Sequence, residues 1–177
     1  GDVVIGASTY TNGQSNEGAA FIYSGSATGL STTAIWMDES DQDSADFGCS
    51  VASAGDVNGD GYGDILVGAD NYSQGQTQEG RAFLYLGSYN GVAQTPFWTA
   101  EADQANAHMG VSVSSAGDIN GDGYGDMIVG AYSYSNGQND GGGAFIYLGS
   151  AIGPASAADW VVESDQNSAG LGMFVAS

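Results

Sequence analysis

Residues 47–69 read FGCSVASAGDVNGDGYGDILVGA, which is a short apolar run, a loop rich in Asp, Asn and Gly, and a second apolar run. The same pattern returns at residues 109–131 as MGVSVSSAGDINGDGYGDMIVGA, 62 residues further along the chain. Self-similarity at a fixed period is typical of repeat architectures, so this stretch indicates the fold of the whole chain. The same spacing relates residues in three repeats without an insertion or deletion: Gly6, Gly68 and Gly130; Tyr10, Tyr72 and Tyr134; Phe21, Phe83 and Phe145; Trp36, Trp98 and Trp160; Gln42, Gln104 and Gln166.

Within one repeat, short apolar runs are separated by clusters of Gly, Asn, Asp and Ser. In the middle repeat the runs are 47–51, 65–67, 82–85 and a stretch around Phe97 and Trp98. No segment shows a helical period, so the pattern predicts an all-β chain with four antiparallel strands per repeat. Four-stranded units that cannot bury their apolar faces alone are typical of β-propeller blades. A β-solenoid or a stacked sandwich is the alternative, which we disfavour because solenoid coils are usually much shorter than this repeat.

We predict a single propeller segment over residues 1–177 that starts inside a blade. Residues 1–46 form a partial unit that lacks its first strand and its Asp/Asn loop, and residues 47–108 and 109–170 form complete units. Residues 171–177 are expected to be the first strand of a further blade. Propellers close with about 4 to 8 blades, so three repeats are expected to form an incomplete ring.

Charge and composition narrow the classes of partner. The chain has 21 acidic residues and one basic residue, Arg81, for a formal net charge of -20. Such a charge argues against nucleic acid and anionic membranes as partners. No run approaches the roughly 18 apolar residues of a membrane helix, so we expect no membrane insertion. The single cysteine, Cys49, cannot close a disulfide within the chain, and we expect it to be a small buried residue of the first strand.

The loop between the first two runs has the composition of a cation site. Side-chain oxygens stand at loop positions 1, 3, 5 and 9, and glycines between them permit a tight turn. Calcium takes about six to eight oxygens, so the carbonyl at position 7 and water would complete the shell. The predicted calcium ligands are Asp56, Asn58, Asp60, Tyr62 and Asp64 in one loop and Asp118, Asn120, Asp122, Tyr124 and Asp126 in the next, and a third, partial loop ends at Asp2.

The composition of this loop has two alternative interpretations. An EF-hand would need a Glu at position 12 and flanking helices, but the chain has Val67 or Val129 there, within a predicted strand. A metal-free hairpin turn rich in Asn, Asp and Gly is the remaining alternative. Three clustered carboxylates in each loop would repel one another without a cation, which favours calcium.

The flanking residues resemble a known repeat. Phe47-Gly48 before the loop and Val67-Gly68-Ala69 after it are similar to the FG-GAP repeats of the integrin alpha-chain propeller and its bacterial relatives. Asp70 replaces the usual proline, and the next repeat has Met109 and Tyr132 at the Phe and Pro positions, departures that do not touch the metal ligands. The resemblance covers essentially the whole chain and implies a calcium-bound propeller with seven blades when the ring is complete.

An antiparallel meander places the calcium loops on one face and leaves the opposite face for a ligand. Tyr, Asn, Gln and Ser on that face suit a protein or a carbohydrate partner, with simple solvated loops as the alternative. The three repeated tryptophans are expected to serve blade packing, with a platform for sugar stacking as the alternative. The segments of the opposite face are 8–17, 71–79 and 133–141 and the acidic turns 39–42, 101–104 and 163–166.

These features predict a module for adhesion or recognition rather than an enzyme. The chain has one histidine, His108, and no lysine, so pairs of nucleophile and base are scarce. Calcium loops of this kind fill at the roughly millimolar calcium found outside cells, so we expect an extracellular or cell-surface location. Two alternatives stay open: a structural subunit that assembles head-to-tail through strand exchange at its termini, and a noncatalytic part of a larger cell-surface enzyme.

Overall fold

The computed structural model describes residues 1–177 and contains strands but no helix. No segment therefore provides a long apolar helix of the kind that crosses a bilayer. The strands are β1 (Val3–Ala7), β2 (Ala19–Tyr23), β3 (Gly25–Ser26), β4 (Gly29–Leu30), β5 (Trp36–Glu39), β6 (Phe47–Gly55), β7 (Asp64–Ala69), β8 (Arg81–Tyr85), β9 (Trp98–Glu101), β10 (Met109–Gly117), β11 (Asp126–Ala131), β12 (Gly143–Tyr147) and β13 (Trp160–Glu163).

Three antiparallel sheets follow one another along the chain. Their strand orders are β1-β2-β5, β6-β7-β8-β9 and β10-β11-β12-β13, and we call them the first, second and third blade. The prediction of an all-β chain built from four-stranded antiparallel units is confirmed, and these sheets are compatible with propeller blades. The ring is not closed. The first blade has no counterpart of β6 or β10, and β3 and β4 form a small separate hairpin.

The second strand of the second blade, β7, is buried on both faces, because a blade lies on either side of it. Every residue of β7 is buried. Ile65 and Val67 belong to an apolar cluster shared with the first blade, whereas Leu66 belongs to one shared with the third blade. Successive side chains of a strand point to opposite faces, so one continuous apolar run serves two cores.

Neighbouring blades touch through pairs of glycines. A Cβ added to Gly68 of β7 would lie far inside van der Waals contact with the carbonyl oxygen of Gly110 in β10. Gly6 meets Gly48 and Gly130 meets Gly172 in the same way. Only glycine permits this backbone approach, which explains why the Phe-Gly glycine and the glycine of the second strand recur in each repeat.

Two further repeated residues join one blade to the next. The indole Nε1 of Trp36 donates a hydrogen bond to the carbonyl of Ala93 at 2.8 Å, and its ring packs edge-on against Tyr85 of the second blade at 5.1 Å. Trp98 does the same to Ala155 and Tyr147 of the third blade. These two tryptophans therefore serve blade packing as expected, and they do so between neighbouring blades.

The glutamines that follow the outer strands of the first and second blades each form a two-way contact with the next blade. The Gln42 amide donates to the carbonyl of Ser73 at 2.9 Å and accepts from the Ser73 N–H at 2.7 Å. Gln104 makes the same pair of hydrogen bonds with Ser135 at 2.8 and 2.7 Å. Part of the face expected to bind a ligand is thus used to hold the blades together.

The expectation for Cys49 is wrong, because its side chain is exposed. The pairing of β6 with β7 is interrupted between Phe47 and Ser50, so Gly48 and Cys49 lie in a bulge. A bulge breaks the alternation of inward and outward side chains that the prediction assumed.

Residues 171–177 form no strand in this structure. Leu171 makes a single parallel bridge to Gly142, as Phe47 does to Gly18 and Met109 to Gly80. The segment then runs beside β10, where the N–H of Val175 donates to Ser112 Oγ at 3.0 Å. In the complete blades the corresponding segments, β6 and β10, pair with β7 and β11. Residues 171–177 have no such strand beside them in this structure.

The glycine contact between blades makes one substitution costly. We expect Gly68→Ala to lower the free energy of unfolding by about 3 kcal/mol, because the added methyl group overlaps a backbone carbonyl that cannot move without separating the blades. Gly63→Ala is the matched control, since a Cβ at Gly63 meets nothing within 4 Å. Urea unfolding of the two variants measures the difference, and equal stability of the two would contradict the proposed role of the contact.

Candidate metal centre

The predicted calcium ligands lie in two loops at one edge of the second and third blades. We call residues 56–64 and 118–126 the first and second metal loop. The first joins β6 to β7 and the second joins β10 to β11. Gly59 and Gly61 have φ of 74° and 90°, in the left-handed region that favours glycine. Gly121 and Gly123 repeat these values at 76° and 92°, so the turn has the same shape in both loops.

Three side chains of the first metal loop bend back onto its own backbone. Asp56 Oδ1 accepts the N–H of Asp60 at 3.0 Å, and its Oδ2 accepts the N–H of Gly61 at 2.8 Å. Asn58 Oδ1 also accepts from Asp60 N–H, at 3.1 Å. Asp60 Oδ1 accepts from the N–H of Tyr62 at 2.9 Å. The oxygens at positions 1, 3 and 5 are therefore held around one tight turn.

Asp64, at position 9, is a buried carboxylate that ties the loop to its blade. Its Oδ2 accepts the N–H of Val57 and its Oδ1 accepts the N–H of Gly87, both at 2.8 Å. The side chain is only 1% exposed. Burial raises the pKa of Asp64 above the ordinary 3.8, and the charges of Asp60 and Asp56 add to that rise while the two N–H bonds oppose it.

The second metal loop repeats this geometry. Asp122 N–H donates to Asp118 Oδ1 at 3.0 Å and to Asn120 Oδ1 at 2.9 Å, and Tyr124 N–H donates to Asp122 Oδ1 at 3.0 Å. Asp126 is fully buried and accepts from the N–H groups of residues 119 and 149 at 2.9 and 2.8 Å. Because two loops with different neighbours adopt one conformation, the nine-residue motif itself determines the shape.

The two metal loops also contact each other. The N–H of Gly125 donates to the carbonyl of Asp56 at 2.7 Å. The ring of Tyr124 lies over Gly59, so close that a Cβ there would overlap it. Asp2 occupies the corresponding place in the first blade and accepts the N–H of Gly25 at 2.9 Å, as Asp64 does for Gly87. Any ion that orders one loop therefore acts on its neighbour as well.

The donor set of each loop fits a hard cation. Carboxylate and amide oxygens are the ligands that calcium prefers. The carbonyl oxygens of Tyr62 and Tyr124 accept no hydrogen bond and are free to serve as the position-7 ligand. The carboxylates of one loop do not all come within 4.8 Å of one another, because backbone N–H groups hold their oxygens. An ion would replace some of these N–H bonds and draw the carboxylates together.

The opposite edge carries the segments expected to face a ligand. The N–H of Asn106, after β9, donates to the carbonyl of Thr77 at 2.8 Å, so the turns after the outer strands and the loops after the second strands lie side by side. Two glutamates of these loops, Glu17 and Glu79, are fully buried rather than presented to a partner. Nothing in the sequence pattern distinguished them from the exposed acidic residues nearby.

Comparison with known proteins agrees with the resemblance to a known repeat family. The family model described as FG-GAP repeat matches residues 47–85 and 109–147. The chain is 35% identical to integrin alpha-PS2 of Drosophila melanogaster over 130 residues, which is 68% of this chain and 9% of that protein. It is 30% identical to phosphatidylinositol-glycan-specific phospholipase D of Bos taurus over 188 residues, covering 97% of this chain and 22% of that protein. With integrin alpha-5 of Xenopus laevis the identity is 34% over 115 residues, 63% of this chain and 10% of that protein.

The chain thus spans between about a tenth and about a fifth of the length of these relatives. The resemblance to FG-GAP repeats drawn from the sequence is confirmed, and both matched segments contain a metal loop.

Buried carboxylates predict a pH dependence for the metal-free chain. Burial raises the pKa of Asp64, Asp38 and Asp70, so the folded chain binds protons at a higher pH than the unfolded chain does. Stability should therefore increase as the pH falls through the raised folded pKa values toward the ordinary value of 3.8, and decrease as the pH rises back through them.

The measurement is the melting temperature of the chelator-stripped chain, at low salt and at about 1 M salt. Salt screens repulsion among exposed carboxylates but leaves the burial of Asp64 unchanged, so part of the gain should persist. A melting temperature that falls steadily as the pH is lowered from neutral toward the ordinary pKa of 3.8 would contradict the assignment.

Proposed function

Because the chain belongs to the FG-GAP repeat family, we propose that it is a calcium-stabilised, noncatalytic β-propeller module for adhesion or recognition outside the cell. The observation that carries the proposal is the matching pair of metal loops at one edge of consecutive blades. In each loop, four oxygen-bearing side chains and one free carbonyl surround a single turn. The opposite edge is left for a protein or carbohydrate partner.

Calcium would be held in the first metal loop by Asp56, Asn58, Asp60 and Asp64 with the carbonyl of Tyr62, and in the second by the five corresponding residues. When bound, the ion supplies positive charge to a loop with three carboxylates in a chain of net charge -20. It would also fix the turn that connects the first two strands of the blade. Since the two loops are in contact, this effect reaches from one blade to the next.

A location outside the cell follows from the kind of site. Open oxygen loops on extracellular modules bind calcium in the roughly 0.1 to 1 mM range and stay filled at the calcium level found there. Two of the relatives reported above are integrin alpha chains, which supports a role in adhesion. The scarcity of nucleophile and base pairs supports a noncatalytic role, since His108 is the only histidine and lysine is absent.

A second candidate function is the noncatalytic propeller part of a larger surface enzyme. The match to the bovine phospholipase D favours it, because that alignment covers 97% of this chain but only 22% of the relative. In this candidate the metal loops have the same structural role, and catalysis belongs to residues outside the matched region.

A third candidate is assembly through the chain ends. Strand β1 is the open edge of the first blade, with Val3 and Ile5 exposed, and Phe174 in the last residues is 89% exposed. An extended segment of a second copy, added to β1, would complete the first blade by strand addition. Contacts of this head-to-tail kind produce rings or filaments.

The calcium proposal predicts metal-dependent stability. In excess calcium, a filled loop should raise the melting temperature by about 5 to 10 °C. Asp60→Asn and Asp122→Asn should each remove much of that gain, because Asn keeps a hydrogen-bond acceptor but loses the charge that binds the ion. The measurement is thermal unfolding in calcium and in chelator.

The control for this experiment is Asp103→Asn, which alters an exposed carboxylate outside both loops. We expect it to retain the full calcium effect. If Asp60→Asn lowers the melting temperature equally in calcium and in chelator, the loop is a metal-free turn and the calcium proposal is wrong.

Assembly through the chain ends predicts a particle larger than 17.8 kDa by light scattering in calcium. Phe174→Asp should return it to a single chain, because it places a charge on the segment that would join β1. Ile152→Asp is the control, since Ile152 is equally exposed, at 90%, but lies in the third blade away from that segment. A single 17.8 kDa species in calcium would contradict this candidate.

A further inference from the structure

Three carboxylates gather in the first blade, at the edge opposite the metal loops. We call Glu17, Glu39 and Asp41 the acidic cluster. Glu17 precedes β2, Glu39 ends β5 and Asp41 follows it, and one oxygen from each lies within 4.8 Å of the others. The structure has no other group of three carboxylates, histidines or cysteines as close as this. Asp41 is exposed, so the cluster is open to ions from solvent.

The buried member of the cluster lacks a partner. Glu17 is fully buried, and its Oε1 accepts the backbone N–H of Asn12 at 2.5 Å. Its Oε2 is shielded from water and has no hydrogen-bond partner. The Asn12 amide donates to both oxygens of Glu39, at 3.0 and 3.2 Å, and it is the only side-chain donor to the cluster. A buried ionised carboxylate is strongly unfavourable unless a positive charge or further donors compensate it.

In the second blade an arginine pairs with the glutamate of the outer strand, while the buried glutamate keeps one unpartnered oxygen. Glu79 corresponds to Glu17, and its Oε2 is likewise buried without a partner. Arg81 lies directly across from Glu101, the counterpart of Glu39, and bonds it through Nε at 3.1 Å and Nη2 at 2.5 Å. The guanidinium also stacks over the ring of Tyr72 at 4.8 Å. In the second blade no three carboxylates lie within 4.8 Å of one another, and the outer-strand glutamate is paired with the arginine.

The first blade has no such side chain. Ala19 stands across from Glu39 in the register that Arg81 and Glu101 occupy in the second blade. Arg81 is the only arginine or lysine in the chain, so no basic side chain is left to neutralise the acidic cluster. The third blade has Gly141 in place of the buried glutamate, and Gly143 stands across from Glu163, so no buried carboxylate needs a counter-charge there.

We propose that Glu17, Glu39 and Asp41 bind a hard divalent cation, calcium or magnesium, which neutralises the first blade where Arg81 neutralises the second. All ligands would be oxygens, as these ions prefer, and the Oε2 of Glu17 would gain the partner that it lacks. The site is separate from both metal loops and does not depend on their binding calcium. It would fix the outer edge of a blade that has three strands in this structure.

The test counts bound ions on the full chain. Chelator-stripped protein is equilibrated with calcium chloride or with magnesium chloride, and the ions retained per chain are measured by atomic emission. We expect Glu39→Gln to bind one ion fewer than the unaltered chain. Ala19→Arg should also bind one ion fewer, because it places an arginine opposite Glu39 beside Tyr10, the counterpart of Tyr72.

The control is Glu163→Gln in the third blade, where no buried glutamate completes a cluster, and it should retain every ion. If Glu39→Gln fails to fold, Ala19→Arg decides, since its charge stabilises the cluster without metal and its melting temperature in chelator should exceed that of the unaltered chain. Equal ion counts for the unaltered chain and the folded variants would overturn the proposal and indicate a shared proton instead. Asp60→Asn should remove an ion from the first metal loop and leave the acidic cluster intact. Its ion count therefore tests the calcium proposal independently of the acidic cluster.

Discussion

The close approach of glycine backbones between neighbouring blades is the constraint on which the rest of the structure depends. Gly68 faces Gly110 with no room for a side chain between them, and the same pairing recurs at the other blade contacts. Because the blades lie so close together, the second strand of the second blade contributes side chains to the apolar cores on both of its faces. It also brings Trp98 and Gln104 within reach of the next blade, where the indole and the amide bond to backbone carbonyls.

Repulsion among carboxylates is the second constraint on the structure. Corresponding positions of the three blades compensate this negative charge in different ways. In the metal loops, backbone N–H groups turn toward the carboxylates and compensate part of their charge. At the outer edge, the second blade uses the ion pair of Arg81 with Glu101, and the third blade replaces the buried glutamate by Gly141. The first blade has neither solution, which is why its carboxylates point to a cation.

Sequence reasoning identified the strands, the loops and the period, because each is encoded over fewer than about ten residues or by strict repetition. It also assigned Trp36 and Trp98 to blade packing. It was wrong about Cys49 as a buried residue, since nothing in the apolar pattern marks the bulge in which Cys49 lies. It missed the acidic cluster. Alignment of the repeats shows Ala19 in the first repeat where the second has Arg81, so the first blade lacks the basic side chain that the second has.

By itself, the sequence determined the all-β repeat and the shape of each metal loop, because a nine-residue turn rich in Asp, Asn and Gly closes through its own backbone. Tertiary structure alone decided which carboxylates are buried and which meet. Asp64 is enclosed by the N–H of Gly87, 23 residues away, and Glu17 meets Glu39 only because β2 pairs with β5. Burial and convergence depend on strand pairing and blade contacts, so no local pattern determines them.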